Sequence, residues 1–130
     1  MKQVLRVATQ AHRQLVDITR QVRAVVQDSG ADEGRCVLFV PHTTAGLTIN
    51  ENADPDVPRD ILTGLTDLLG DESRFRHDEG NAGGHLLSSL LGVSITILIA
   101  DGDLDLGRWQ AIYFGEFDGP RQREVWVRIV

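Results

Sequence analysis

A chain of 130 residues, 42% hydrophobic and 25% charged, has the composition of one globular domain and excludes a disordered tract. Its net charge of −6, from 13 Lys and Arg against 19 Asp and Glu, excludes nucleic acid as the main partner and leaves Arg121, Arg123 and Arg128 as one local basic cluster. The single cysteine, Cys36, forms no intramolecular disulfide, "MKQVLRVATQ" lacks the apolar core of a signal peptide, and "SITILIA" is too short to span a bilayer, so a cytoplasmic protein without membrane contact is expected.

No repeat or linker divides the chain, and residues 1–130 read as one domain. "KQVLRV" and "HRQLVD" are short strand candidates joined by "ATQA" as a hairpin. Ile18, Val22, Val25 and Val26 recur at helical spacing and predict an amphipathic helix ending near Gly30. "GRCVLFVPH" reads as a buried strand, and "TAGLTINE" as further extended chain. In "NADPDVPRDILTGLTDLLG" the residues Ile61, Leu62, Leu65, Leu68 and Leu69 form a second helical stripe, with Pro55 and Pro58 at its start. A polar loop from Asp71 to Gly84 leads into a short helix over "HLLSSLL", closed by Gly92. "SITILIAD", "QAIYFGEF" and "REVWVRIV" are strands, separated by the turns "DGDLDLGR" and "DGP". Two to three helices among at least six strands, mostly joined by short turns, predict an α+β domain built on antiparallel sheet, sandwich-like in its layering.

Four histidines are candidates for chemistry near neutral pH. His12 lies in a polar stretch without a partner in the pattern and is taken for a surface residue. His42 ends a strand and opens "HTTAGLTINEN", which puts Thr43, Thr44 and Glu51 within ten positions; the alternative is that these are strand-end polar groups satisfied by local hydrogen bonds. His77 and His85 do not have the spacing of a helical zinc-protease pair. Their context is more informative. Asn81 is a favoured N-cap type, Gly83 and Gly84 would let backbone N–H groups approach a ligand, and a helix starting there would turn amides and its positive end toward an anion beside His85. The alternative is that paired glycines only make a tight turn.

Glu51 directly follows an apolar strand, which predicts partial burial and a carboxyl usable as a general base. Asp56 reads as a charge complementing a helix start. "DGDLDLGRWQAIYFGE" is not an EF-hand, since the glycine falls at the second position and not the sixth. It reads as a turn, with Trp109 capping the core and Gln110 a candidate polar contact to a ligand.

The blocks "HTTAGLTINENADPDVPRD", "FRHDEGNAGGHLLSSLLG" and "DGDLDLGRWQAIYFGEFDGPRQR" resemble, in order and spacing, the signatures of the YjbQ-like family, whose members are called secondary thiamine-phosphate synthases. The resemblance runs over nearly the whole chain. It implies an α+β sandwich-like fold, a homotrimer with its pocket at or near a subunit interface, and convergence of His42, His77 and His85 as a zinc-type site or a cradle for phosphate or sulfate. Glu51, Asn52, Asp54, Asp60, Asn81, Trp109 and Gln110 also fall on matching positions. The implied activity joins a pyrimidine pyrophosphate to a thiazole phosphate with loss of pyrophosphate.

On this reading Glu51, His42 and His85 carry the chemistry, and Thr43, Thr44, Asn52, Asn81, Gly83, Gly84 and Gln110 bind the phosphorylated substrate. His42, His77 and His85 would hold the metal. The alternative is a trimeric module that binds a metal or an anion without turnover. Phe75 where the family has tyrosine, Gly84 before the second histidine and Arg108 before the tryptophan depart from the pattern and bear on substrate preference.

Overall fold

The computed structural model describes residues 1–130. The elements run β1 (Gln3–Ala8), β2 (Gln14–Asp17), α1 (Thr19–Ser29), β3 (Gly34–Phe39), β4 (Ala45–Glu51), α2 (Asp56–Leu68), a short 3-10 turn (Glu72–Arg74), α3 (Ala82–Leu91), β5 (Ser94–Ala100), β6 (Asp103–Leu104), β7 (Gln110–Glu116) and β8 (Gln122–Ile129). They build two antiparallel sheets, one of five strands in the order β1-β8-β3-β5-β6 and one of three in the order β2-β7-β4. The α+β class and the antiparallel layering are as the sequence predicts. No helix is long and apolar enough to cross a membrane.

Alternation along the strands turns one face of each sheet inward. Cys36 and Leu38 of β3, Ile97 and Ile99 of β5, and Val125 and Val127 of β8 meet Leu47 of β4 and Ile112 and Phe114 of β7 in one buried core. Ile18, Val22, Val25 and Val26 join that core from α1, as their spacing predicts. Asp17 accepts from the Thr19 backbone N–H at 2.9 Å and from the Thr19 hydroxyl at 2.6 Å at the helix start. Gly30 ends α1 in the left-handed conformation, φ 72°. A smaller apolar cluster of Leu69, Leu87 and Phe117, with Leu62, Leu65 and Leu91 against it, holds α2 and α3 on the outside of the three-stranded sheet.

Several local expectations fail for identifiable reasons. β1 and β2 do not form a hairpin: β1 pairs with β8 and β2 with β7, so they lie in different sheets. "ATQA" lacks turn residues, and Thr9 within it is drawn inward, its hydroxyl donating to Glu116 Oε1 at 2.7 Å. β3 stops at Phe39, before Pro41, which has no N–H to donate to a ladder. α3 begins at Ala82, three residues before His85, so Gly83 and Gly84 belong to its first turn and not to a loop. The basic cluster is dispersed as well: Arg123 is buried, Arg121 binds Asp118, and Arg128 lies on the outer face of the large sheet.

Candidate functional site

β4 pairs with β7 along its full length, from Ala45↔Glu116 to Glu51↔Gln110. That register sorts the predicted site residues into two groups. His42, Thr43 and Thr44 precede the Ala45 end; Glu51, Asn52 and Gln110 stand at the other, about 20 Å away at ~3.3 Å per residue.

At the first end, His42 and His85 line the same depressions although they come from different elements. One, of about 370 Å³, has Thr43, Thr44, Asn81, Asp118, Arg121 and Arg123 in its walls as well. Another, of about 530 Å³, runs from His42 and Thr43 along α3 past Ser88 and Ser89. His85 also faces a third, of about 400 Å³, with Phe75, His77 and Leu86. The His77 and His85 rings meet edge to face with centroids 5.1 Å apart, and His77 Nε2 lies 3.6 Å from Glu79 Oε2. His85 therefore stands between His42, with which it shares two depressions, and His77, with which it shares a third, and the His42–His85 depressions together form a furrow.

The orientation of His42 is fixed from behind. Its Nε2 accepts the Glu124 backbone N–H at 2.9 Å, and the Glu124 carboxylate accepts from Trp126 Nε1 at 2.9 Å. An Nε2 that accepts carries no proton, so the neutral ring holds its proton on Nδ1, which has no protein partner. Partial burial lowers the His42 pKa below its ordinary value, and the Arg123 charge lowers it further against the opposing pull of Glu124 and Glu116. At neutral pH the ring is an uncharged Nδ1–H donor.

Beneath the furrow lies a buried ion pair. Arg123 and Glu116 have 4% and 0% of their side chains exposed, with Arg123 Nε to Glu116 Oε1 at 2.9 Å and Arg123 Nη2 to Glu116 Oε2 at 2.5 Å. Burial alone would raise the Glu116 pKa; the bonds from Arg123, from the Thr9 hydroxyl and from the Asp118 backbone N–H outweigh it and bring the carboxyl below its ordinary value. Arg123 Nη2 also donates to Thr44 Oγ1 at 2.8 Å, so Thr44 is buried and joined to this framework, while Thr43 is exposed.

Asn81 stands at the N-cap of α3, as its residue type predicts, but makes no capping bond. Its Nδ2 donates to Asp118 Oδ2 at 2.9 Å, and its buried Oδ1 has no partner in the chain. Gly83 and Gly84 are buried and serve packing: a Cβ on Gly84 would stand 2.7 Å from the Phe117 carbonyl oxygen, and one on Gly83 would collide with Leu69 and Arg13.

The other end has a different character. Glu51 is half-buried, and its carbonyl accepts from the Tyr113 hydroxyl at 3.1 Å. Burial, then the charges of Asp17 and Glu51, push the Tyr113 phenol up from its ordinary value. Asn52 Nδ2 donates to Asp17 Oδ2 at 3.2 Å, and Gln110 Oε1 accepts from the Gly107 N–H at 2.8 Å within its own turn. Trp109 does not cap the core. It is 53% exposed beside Arg108, because the tight turn from Gly107 to Gln110 lifts it off the sheet.

A zinc ion held by all three histidines needs three free ring lone pairs about 2 Å from one point. The His42 Nε2 lone pair is taken by Glu124, and no three His, Cys, Asp or Glu side chains stand close enough together to share an ion. The donors in this arrangement do not fit that centre.

Sequence reasoning passed over Glu116, Arg123, Asp118 and Glu124. The available signal was Glu116 itself: a carboxylate inside "AIYFGEF" sits in an apolar strand and requires a buried cation.

The model of the UPF0047 protein YjbQ-like family matches residues 3–130. The chain belongs to the YjbQ-like family. It is 49% identical over 124 residues to UPF0047 protein MJ1081 of Methanocaldococcus jannaschii, covering 95% of this chain and 90% of that one. It is 44% identical over 131 residues to UPF0047 protein YugU of Bacillus subtilis, covering 100% and 99%. Among solved structures, an uncharacterized conserved protein of the family from Clostridium acetobutylicum superposes with a TM-score of 0.94 at 50% identity, over 98% of both chains. The hypothetical protein APE1520 of Aeropyrum pernix gives 0.94 at 34% identity, over 100% and 98%. The family resemblance and its fold, both expected from the motif blocks, are thus established over the whole domain.

Proposed function

We propose that the protein is a small trimeric cytoplasmic enzyme that binds a phosphorylated small molecule in the furrow between His42 and His85. Its reaction would be of the thiamine-phosphate-synthase type, joining a pyrimidine pyrophosphate to a thiazole phosphate and releasing pyrophosphate. The observation that carries this reading is the pairing of two imidazoles from separate elements in one depression with Arg121, Thr43 and the start of α3. His42 Nδ1–H and the Arg121 guanidinium donate to phosphoryl oxygens, and the first-turn amides of α3 favour negative charge on a departing pyrophosphate. His85, half-buried beside His42, is the group placed to move a proton. Glu51 cannot reach its own chain's furrow, so its acid–base role would be exercised in a neighbouring copy, with the pocket at the trimer interface.

The test is calorimetric titration of pyrophosphate and a condensation assay on His42→Ala and His85→Ala. Both variants should fold, bind pyrophosphate at least ~10-fold more weakly and lose turnover; unchanged binding and turnover would overturn the reading.

The edge-to-face contact of His77 and His85 favours a second reading, a module that holds a zinc-type metal on those two rings without turnover. Stoichiometric zinc in the purified protein, lost in His77→Ala, together with no reaction on any precursor pair, would replace the first reading with this one.

A further inference from the structure

Leu86 and Leu87 are neighbours on α3, and the fold treats them oppositely. Leu87 is buried in the cluster with Leu69 and Phe117, whereas Leu86 is 45% exposed. Ala82, His85 and Leu86 share one side of the helix by their spacing. With Phe75, Arg76 and His77, from the loop after the 3-10 turn, they line the depression of about 400 Å³. Leu90, a turn further along α3, is exposed as well but stands outside it. The loop side is held in place. Asp71 accepts from the Ser73 backbone N–H at 3.0 Å, the Phe75 N–H donates to the Glu72 carbonyl at 3.1 Å, and Glu72 pairs with Arg13 at 3.2 Å, which ties the turn to the body of the domain. The Arg74 guanidinium lies over the Phe75 ring, 4.4 Å from its centroid, and the His77 and His85 rings stand at 87° to one another. These contacts assemble the walls before any ligand arrives, which lowers the ordering cost of binding.

The depression differs in kind from the furrow with which it shares His85. The furrow of His42, Asn81, Asp118, Arg121 and Arg123 is polar; here Phe75, Ala82 and Leu86 are apolar, Arg76 is the one guanidinium, and no carboxylate takes part. Glu79, 3.6 Å from His77, lines the furrow instead. We infer that this depression seats a planar aromatic ring, joined by a short arm to the phosphoryl group that the furrow holds on the other side of His85. The inference rests on the phosphoryl-binding furrow proposed above and assigns the place of the rest of that ligand. The volume suits a single ring and its arm, standing near the lower end of small-molecule pockets, about 300–1,000 Å³. A saturated alkyl phosphate is the other occupant that apolar side chains would admit. Phenyl, imidazole and guanidinium walls favour the aromatic ring over it, because ring quadrupoles gain from edge-to-face contact and from a cation over the ring face.

Calorimetric titration of the purified protein with inorganic phosphate, benzyl phosphate and cyclohexylmethyl phosphate tests the inference. Benzyl phosphate should bind at least ~10-fold more tightly than either of the others. Phe75→Ala and Leu86→Ala should bring it to within ~3-fold of inorganic phosphate and leave the affinity for inorganic phosphate unchanged, which also shows the furrow intact. Should Phe75→Ala fail to fold by circular dichroism, Leu86→Ala decides, since that side chain is 45% exposed. Absence of binding by all three compounds overturns both this inference and the phosphoryl reading of the furrow. Inorganic phosphate that binds and is lost in His42→Ala, with benzyl phosphate no tighter, overturns this inference alone. So does cyclohexylmethyl phosphate binding as tightly as benzyl phosphate, or a benzyl preference that survives both substitutions.

Discussion

The two ends of β4 are built on opposite principles. At the Ala45 end the polar groups are locked: Glu116 and Arg123 are buried in a mutual two-bond contact, Thr44 and Thr9 complete it, and His42 is held from behind by a backbone N–H. At the Glu51 end they are surface groups tied by single bonds to a turn or a neighbouring carboxylate, with Trp109 in solvent. Only the first end has the rigidity that positions reacting groups within one chain. The second is suited to being completed from outside.

The largest effect should come from breaking the frame under the furrow. Glu116→Ala leaves a guanidinium buried without its counter-charge, and chemical denaturation should show a loss of about 3–5 kcal/mol. A loss under about 1 kcal/mol would mean that water reaches Arg123 and that the end is less rigid than its hydrogen bonds imply.

Next is the seating of α3. A methyl group at position 84 meets the Phe117 carbonyl oxygen, which cannot move without disturbing the start of the helix. Gly84→Ala should cost about 1–3 kcal/mol and misplace His85, weakening pyrophosphate binding more than a matching destabilisation elsewhere would.

The contrast between the two ends also shows what could be read in advance. Helices α1 and α2 and strands β4, β5, β7 and β8 were legible because their apolar spacing is regular and Gly30 and Pro41 punctuate it. The pairing of β1 and β2 was not, because adjacency in sequence suggested a hairpin and only the tertiary pull on Thr9 sends them to separate sheets. At the site, His42 and His85 could be named as partners, whereas Glu51, nine residues from His42, looked like their neighbour. A seven-residue strand between Thr44 and Asn52 carries it to the other end of the sheet, and nothing in residue type reveals that separation. The ion pair beneath was missed because Arg123 looked like one of three surface cations.

A smaller effect should appear in the pH dependence. Folding lowers the His42 pKa below its unfolded value of about 6.5, so the unfolded chain binds more protons as the solution is acidified. Stability should fall as the pH drops through that value, before Glu116, whose contribution is present above about 4.5 and lost through its lower folded pKa, begins to fail. Denaturation midpoints between pH 7 and pH 5 should slope downward in the wild type and less so in His42→Gln, whose amide oxygen reaches the Nε2 position as an acceptor for the Glu124 N–H but does not titrate. Equal slopes would place the proton uptake elsewhere.

The least effect on folding should be seen at the far end. Glu51→Gln keeps the size of a half-buried side chain that makes no side-chain hydrogen bond and is expected to alter stability by no more than ~0.5 kcal/mol, so any loss of turnover is attributable to chemistry. His42→Ala removes the opposite member of the proposed pair. If Glu51 served the furrow of its own chain, every copy in a mixture of the two variants would lack one member and the mixture would stay inactive. If it serves a neighbour, copies with intact His42 and copies with intact Glu51 meet in the mixed ring, and about a quarter of the furrows in an equal mixture regain both groups. Recovery of about that fraction after dissociation and reassembly would join the two ends of β4 across a subunit boundary. Persistent inactivity of a fully reassembled mixture would separate them.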